Sequence, residues 1–313
     1  MKKSPKISAI IACFKDERAI PIMYQRLTTV FKKLGVQYEI IFVNDGSPDD
    51  SENVIEKLAK KDSHVIGITH SRNFGSQMAF TSGMELATGD AIVLMDGDLQ
   101  DPPEIIPEFV TQWKKGFNVV YGVRVRREGS LTMQAFYKLF YRVFHALSYI
   151  SIPVDAGDFS LIDRNVVDVL KQLPERDRFV RGLRAWVGFK QIGVPYVRPE
   201  RMFGHSTNNL IKNFQWATKG IFSFSYAPLQ AITLLSLFVF MLSVIGIIYQ
   251  ILFRILYPHA TANGITTIIV IVLFLGSIQL LGISILGEYL GKVFEEVKQR
   301  PQFIRKSVVR KKR

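Results

Sequence analysis

The stretch Asp96-Gly97-Asp98-Leu99-Gln100-Asp101-Pro102-Pro103, entered from the apolar run Ala91-Ile92-Val93-Leu94-Met95, decides how this chain is read. An unbroken apolar run of that length fits a strand buried on both faces, and the strand ends where the carboxylates begin. In extended backbone Asp96 and Asp98 point the same way, and Gly97 between them lets the chain turn. Paired hard oxygen ligands suit Mg2+ or Mn2+, so Asp96 and Asp98 are the candidate metal ligands, and an ion held there can carry a diphosphate. Taken alone, the same residues also fit an acidic turn before a helix starting near Pro103.

Outward from this strand, apolar runs alternate with helical periodicity over 7–13, 20–34, 38–43, 48–60, 65–69, 76–87, 91–95, 103–115 and 118–122. That alternation predicts an α/β domain with a doubly wound, mostly parallel sheet, whose ligands gather beyond the carboxyl ends of the strands. Polar clusters stand at four such ends: Phe14-Lys15-Asp16-Glu17, Asn44-Asp45-Gly46-Ser47, His70-Ser71-Arg72-Asn73-Phe74-Gly75 and the Asp96 and Asp98 pair. No Gly-x-Gly-x-x-Gly and no Gly-x-x-x-x-Gly-Lys-Ser/Thr occurs, so the common dinucleotide and P-loop cradles are absent. Lys2, Lys3 and Lys6 precede a short apolar run that ends in Lys15-Asp16-Glu17-Arg18, which fits a buried strand and not a cleaved secretion signal.

Each cluster has a local reading beside a functional one. Asp16 and Asp45 fit helix starts and turns, and they equally fit acceptors for a base imide or a ribose hydroxyl. Arg72 fits a surface charge or a phosphate partner. Arg124-Val125-Arg126-Arg127-Glu128-Gly129-Ser130 fits a solvated surface loop or a loop over the crevice, where Arg124 and Arg126 would neutralise a departing diphosphate or an incoming phosphate. Between 131 and 150 an aromatic stripe with cationic flanks fits either a lipid-interface helix or a core helix. Asp155-Ala156-Gly157-Asp158-Phe159 reads as a loop entering a strand that returns to the crevice, making Asp158 the candidate acceptor-side carboxylate. Arg181-Gly182-Leu183-Arg184-Ala185-Trp186 departs from the Gln-x-x-Arg-Trp pattern of processive polysaccharide synthases, lacking the Gln and inserting Ala185.

A single cysteine, Cys13, excludes an intramolecular disulfide framework and a multi-cysteine zinc site. The hydrophobic fraction of 48% is concentrated late in the chain: no Asp, Glu, Lys or Arg lies between Lys219 and Arg254, or between Arg254 and Glu288. Two membrane spans are expected, near 228–252 and 265–287, each long enough for about 30 Å of hydrocarbon at about 1.5 Å per residue. Lysines and arginines cluster before the first span and after the second. The positive-inside bias therefore puts both termini and the catalytic domain in the cytoplasm, on the inner (plasma) membrane as a multi-pass protein. The net charge of +13 is then accounted for by a basic tail beside anionic lipid, without nucleic acid. Past the second span, Leu286, Tyr289, Leu290, Val293, Phe294 and Val297 form a stripe that predicts a juxtamembrane amphipathic helix.

With these residues in view, the chain resembles family 2 glycosyltransferases of the dolichyl-phosphate mannose synthase type, and more closely bacterial bactoprenol (undecaprenyl-phosphate) glucosyltransferases. The motifs that carry the resemblance include Val43-Asn44-Asp45-Gly46-Ser47, Ser71-Arg72-Asn73-Phe74-Gly75, the Asp96 to Pro103 stretch, Gly157-Asp158-Phe159 and Gly287-Glu288-Tyr289-Leu290-Gly291-Lys292. The resemblance implies a GT-A catalytic domain over 1–207 with an interfacial helix near 131–150, and an interfacial helix and connector over 208–227. It also implies two transmembrane helices within 228–287, and an amphipathic helix with a basic tail over 288–313. It implies a UDP-sugar donor, a polyprenyl phosphate acceptor and a homotetramer. Phe14, Asp16, Asp45 and Asp96 then hold the nucleotide, Asp96 and Asp98 the metal diphosphate, Arg72, Arg124, Arg126 and Arg201 the phosphates, and Asp98 and Asp158 act in catalysis. Two departures stand out: Ala12-Cys13-Phe14-Lys15-Asp16 replaces a Pro-x-Tyr-Asn-Glu pattern, and Thr207 and Asn208 stand where relatives carry a Lys and an aromatic residue. A processive polysaccharide synthase and a non-catalytic nucleotide-sugar sensor are the alternative readings.

Overall fold

The computed structural model describes residues 4–124, 156–176, 178–200, 202–203, 225, 227–257 and 264–311. Arg126, Arg201, the helix expected near 131–150 and nearly all of the 208–227 connector lie outside the described residues.

The described elements are β1 (Lys6–Cys13), α1 (Ala19–Leu34), β2 (Gln37–Asn44), α2 (Ser51–Lys61), β3 (Val65–His70), α3 (Ser76–Leu86), β4 (Ala91–Asp96), α4 (Ile106–Lys114) and β5 (Val119–Arg124). They continue with β6 (Ala156–Asp163), α5 (Arg164–Gln172), α6 (Val180–Trp186), β7 (Gln191–Tyr196), α7 (Ala227–Leu256), α8 (Ile265–Lys298) and β8 (Arg305–Arg310). The strand order is β7-β5-β6-β4-β1-β2-β3-β8. Only β6 and β8 run against the others, so the sheet is mostly parallel, as the alternating pattern implied, and GT-A-like, as the resemblance implied.

Burial on both faces explains the apolar runs. Ile7, Ala9 and Ile11 of β1 pack on one side with Phe31, Phe42 and Phe109, while Ile10 and Ala12 pack on the other with Val43, Phe80 and Leu94. From β1 the chain winds through β2 and β3 in one direction and then crosses back to place β4 on the opposite side of β1. The carboxyl ends of β1 and β4 therefore form a topological switch point, the place where an open α/β sheet leaves a crevice.

The two long helices match the spans read from hydropathy. Ala227–Phe253 and Ile271–Lys298 have mean hydropathies of 2.7 and 1.9, and among the described residues none in their most apolar stretches is buried. Phe238 and Phe240 are each 61% exposed, an apolar surface that water disfavours at about 25 cal/mol per Å2 and hydrocarbon does not. By length and composition each helix can cross a bilayer. The stripe from Leu286 to Val297 does not form a separate amphipathic helix, as the sequence reading expected. It is the last part of α8, which runs unbroken to Lys298 because neither Gly287 nor Gly291 interrupts it, and which stops at Gln299 in the left-handed region (φ +50°) ahead of Pro301. The basic tail also has a structure that periodicity did not reveal: Arg305–Arg310 is an edge strand, antiparallel to β3.

At the amino-terminal end of the sheet, Glu39 is buried and accepts from Lys6 Nζ (2.6 Å), Ser8 Oγ (2.6 Å) and the Thr88 N–H (2.6 Å). Burial pushes its carboxyl pKa up, but these donors together outweigh burial and hold it below the ordinary glutamate value. Stability from this group is therefore complete above the unfolded-state pKa and is lost as pH falls through the lower folded-state value. We expect Glu39→Ala to cost about 2 kcal/mol, discounted for the partly exposed Lys6. In thermal unfolding of the detergent-solubilised chain, its Tm deficit should be large at pH 7 and shrink as pH drops below the carboxylate range.

Candidate active site

The site is built where β1 and β4 end. Ala12 stands opposite Asp96 in the parallel register, and the Gly97 N–H donates to the Ala12 carbonyl at 2.8 Å. A Cβ on Gly97 would lie 3.0 Å from Asp16 Oδ2 and 3.1 Å from Cys13 Sγ. The Asp16 carboxylate, which accepts the Phe14 N–H at 2.9 Å, thus sits directly against the Asp96-Gly97-Asp98 turn. Among described non-glycine residues, Lys15 (φ +62°) and Leu99 (φ +64°) hold left-handed backbone on the two loops that meet here. Such strain persists only where the surroundings enforce it, and for Leu99 the enforcing contact is burial of its side chain in the core.

Negative charge is concentrated at this point. Asp98 is 7% exposed and accepts the Gln100 N–H at 3.1 Å, with Arg198 Nη2 at 3.9 Å from its other oxygen. Asp101 is buried and accepts from the Asp96 N–H (3.2 Å) and the Tyr196 hydroxyl (3.1 Å). Burial, and then the neighbouring charges of Asp101, Asp98 and Asp158, push the Asp96 carboxyl well above the ordinary aspartate value. Burial and the nearby Asp101 push the Tyr196 phenol up to about 12. The buried Cys13 thiol is also pushed up, by burial and by Asp16, Asp49 and Asp96.

This donor set fits a divalent cation. Asp96 and Asp98 are hard oxygen donors whose mutual repulsion a cation would relieve. No group of three or more His, Cys, Asp or Glu arranged to hold a metal occurs among the described residues. Two carboxylates, with a diphosphate and waters completing the shell, are nevertheless the usual protein share for Mg2+.

The opposite wall comes from β6 and α6. Arg181 clamps Asp158 with Nε and Nη2, each at 3.2 Å, and Gln77 Nε2 of α3 donates at 3.1 Å. Burial raises the Asp158 pKa, but Arg181 outweighs it, with help from Arg184 and Gln77, so the carboxyl is held below its ordinary value. Arg184 is fully buried, its Nη2 donates to the Gly157 carbonyl at 3.3 Å, and its Nε and Nη1 are unpartnered. Burial lowers its pKa to about 10, which leaves it charged at neutral pH. Arg124 brings a guanidinium to Gly157, and its buried Nε is also unpartnered.

The third wall is the loop after β3. Asp45 is buried, and its Oδ1 lies 2.8 Å from His70 Nδ1 and accepts the Phe74 N–H at 2.9 Å, while Oδ2 accepts the Gly75 N–H at 2.7 Å. Asp45 therefore reaches the crevice with its carboxylate engaged in shaping the 70–75 loop. Arg72 is exposed, stacks 4.1 Å above the Phe74 ring and donates to the Asn73 carbonyl. The structure brings Phe14, Asp16, Asp96, Asp98 and Asp158 to one end of the sheet. It adds Arg181, Arg184, Gln77, Asp101 and Tyr196, to which the sequence reading gave no role. The spacing of Arg181 and Arg184 on one helix face was visible, but their partner Asp158 lies 23 and 26 positions upstream.

Residues 8–170 match the family model described as glycosyl transferase family 2. The chain is 41% identical over 311 residues to an uncharacterized glycosyltransferase, YkcC, of Bacillus subtilis, covering 97% of this chain and 94% of that protein. It is 39% identical over 305 residues to the prophage bactoprenol glucosyl transferase homolog of Escherichia coli, covering 97% and 99%. With the bactoprenol glucosyl transferase of Shigella phage SfX it shares 38% over 304 residues, covering 96% and 99%. Among solved structures, the Mycobacterium tuberculosis glucosyl-3-phosphoglycerate synthase aligns at 18% identity with a TM-score of 0.45, over 70% of this chain and 78% of that one.

The ionised state of Asp158 depends on Arg181. Removing that guanidinium takes away the largest influence opposing burial and leaves Arg184 and Gln77 to oppose it, so the Asp158 pKa must rise. In Arg181→Gln the acid limb of the pH–rate profile should move to higher pH, with activity partly recovered at alkaline pH, whereas Arg181→Lys should lie between the two.

Proposed function

This chain belongs to glycosyltransferase family 2, and from that premise we propose that it transfers a hexose, glucose favoured, from a UDP-sugar to a polyprenyl phosphate. The product is a polyprenyl-phosphate hexose made at the cytoplasmic face of the membrane. The observation that carries this reading is the pairing, in one chain, of a carboxylate cluster at the sheet's switch point with two long apolar helices whose apolar stretches have no buried residue among the described ones. Such helices suit an acceptor whose tail stays in lipid. The names of the bactoprenol glucosyl transferases, to which the chain is similar along nearly its whole length, support the acceptor class and favour glucose.

In this proposal Asp96 and Asp98 are the residues that would hold Mg2+ or Mn2+, and the ion would supply positive charge to the departing diphosphate. Asp16 and Phe14 line the nucleoside side, with Asp45 acting through the 70–75 loop. A phosphate oxygen of the acceptor attacks the anomeric carbon in line, the bond from that carbon to the β-phosphate oxygen breaks, and UDP departs with inversion. The acceptor is a phosphate monoester with a second pKa of about 6, so at neutral pH its attacking oxygen is already largely deprotonated and needs no strong base. A clamped Asp158 held below the ordinary carboxylate pKa is a weak base, consistent with that demand. It orients, while Arg184 and Arg124, each with an unpartnered buried nitrogen, offer donors to the acceptor phosphate. Arg72, Arg126 and Arg201 belong to the same proposal as further phosphate contacts, and a homotetramer as its assembly.

Incubating the purified chain with UDP-[14C]glucose and undecaprenyl phosphate should yield labelled lipid. Labelled polymer would indicate a processive synthase, and bound sugar nucleotide without product a sensor; either contradicts the proposal. In the double variant Asp96→Asn, Asp98→Asn lipid labelling should fall by about 100-fold or more, the scale expected when a leaving-group charge loses its stabilisation.

A further inference from the structure

After α8 ends at Lys298 the chain does not leave the catalytic domain. Residues 300–304 form a strap over the end of β3, and β8 then pairs along that strand from Arg305 to Arg310. The strap is tied to both walls of the crevice. On the acceptor side, Glu296 Oε1 accepts the Arg176 N–H at 2.7 Å, the Arg176 guanidinium donates to the Arg300 carbonyl, and Gln302 Nε2 donates to the Glu175 carbonyl at 2.9 Å. That segment leads directly into α6, which carries Arg181.

On the donor side the contact is an aromatic stack. The Phe303 ring lies face to face with His70 at 5.3 Å and 11°. Phe74 meets His70 edge to face at 5.7 Å and 86°, so the imidazole packs against two rings. The Ser71 N–H donates to the Ile304 carbonyl at 2.9 Å. Beyond Phe303, the Arg305 guanidinium lies 5.0 Å from the same ring and donates to Ser82 Oγ, the Ser82 carbonyl and Glu85 on α3. His70 is fully buried, and its only hydrogen-bonding nitrogen, Nδ1, faces Asp45, which in turn fixes the N–H groups of Phe74 and Gly75.

We propose that Phe303 is a positioning residue for the donor-binding loop. Its ring sets the plane of His70, His70 sets Asp45, and Asp45 sets the 70–75 backbone at the mouth of the nucleotide crevice. Because Phe303 follows α8 by a few residues, the donor site is complete only when the end of the second membrane helix is seated on the catalytic domain. The inference rests on the reading of this crevice as the nucleotide-sugar site. It is separable from a purely structural role, since the backbone pairing of β8 with β3 and the hydrogen bonds of Arg305 to α3 do not use the Phe303 side chain.

The test uses the full chain in detergent, with UDP-glucose and undecaprenyl phosphate, and compares Phe303→Ala, Phe303→Tyr and Lys306→Ala. Lys306 is on the same strand, is exposed and pairs with Glu52, away from His70. Phe303→Ala should raise the donor KM, and the Kd of UDP measured by calorimetry, by about fivefold, the scale of a lost aromatic pair. Its kcat at saturating donor should stay within about twofold, the pattern of lost uniform binding, with acceptor KM unchanged. Phe303→Tyr should restore the wild-type values and Lys306→Ala should match them. The proposal is overturned if Phe303→Ala leaves donor KM and UDP Kd unchanged, if it lowers kcat and Tm without moving either, or if Lys306→Ala raises donor KM equally. Should the wild-type chain make no labelled lipid, the functional reading fails, and the UDP Kd values across the same variants still decide this one.

Discussion

Everything in this molecule is arranged around an electrostatic cost: carboxylates gathered, partly or fully buried, at the carboxyl ends of β1 and β4. Burial and like charge both push Asp96 toward its neutral form. A fold does not keep such a cluster for stability, because replacing it with apolar groups would remove the repulsion. In the proposed function it is a cation site whose remaining ligands arrive with the substrate. The left-handed backbone at Lys15 and Leu99 is a second cost at the same point, and the crowding around Gly97 leaves little room for any side chain there.

The opposite wall answers that charge differently. Asp158 is half-buried like Asp96, yet Arg181, Arg184 and Gln77 hold its carboxyl below the ordinary value, so two aspartates in one crevice are driven in opposite directions. Separation of pKa values by environment is how neighbouring groups of one type take different roles. In the proposed function the division is between a pair that would share a metal and a single carboxylate that already has its counter-ion.

Much of this was legible in the chain itself. The strand run into Asp96 and Asp98 is local, so a pattern of neighbouring residues suffices to find it, and the charge-free stretches around Arg254 mark the long helices by composition alone. Other parts were not legible, because they are contacts across long separations. Nothing near Asp158 announces Arg181, and nothing near Asp45 announces His70. The tail Arg-Lys-Ser-Val-Val-Arg reads as a basic segment beside a membrane, and its period-two exposure becomes visible only once β3 supplies the edge it pairs with. Likewise, helical periodicity alone could not tell whether the stripe past Gly287 starts a new helix or continues the old one.

The central claim is that two carboxylates at the switch point grip a divalent ion jointly with the donor diphosphate. Mn2+ binding to the full chain, followed by electron paramagnetic resonance with and without UDP, tests it most directly. The account predicts weak binding to the chain alone, binding tightened at least about tenfold by UDP, and loss of the tightened state when Asp96 and Asp98 are both asparagine. Mn2+ binding that is indifferent to UDP, or that survives the double substitution, would contradict it.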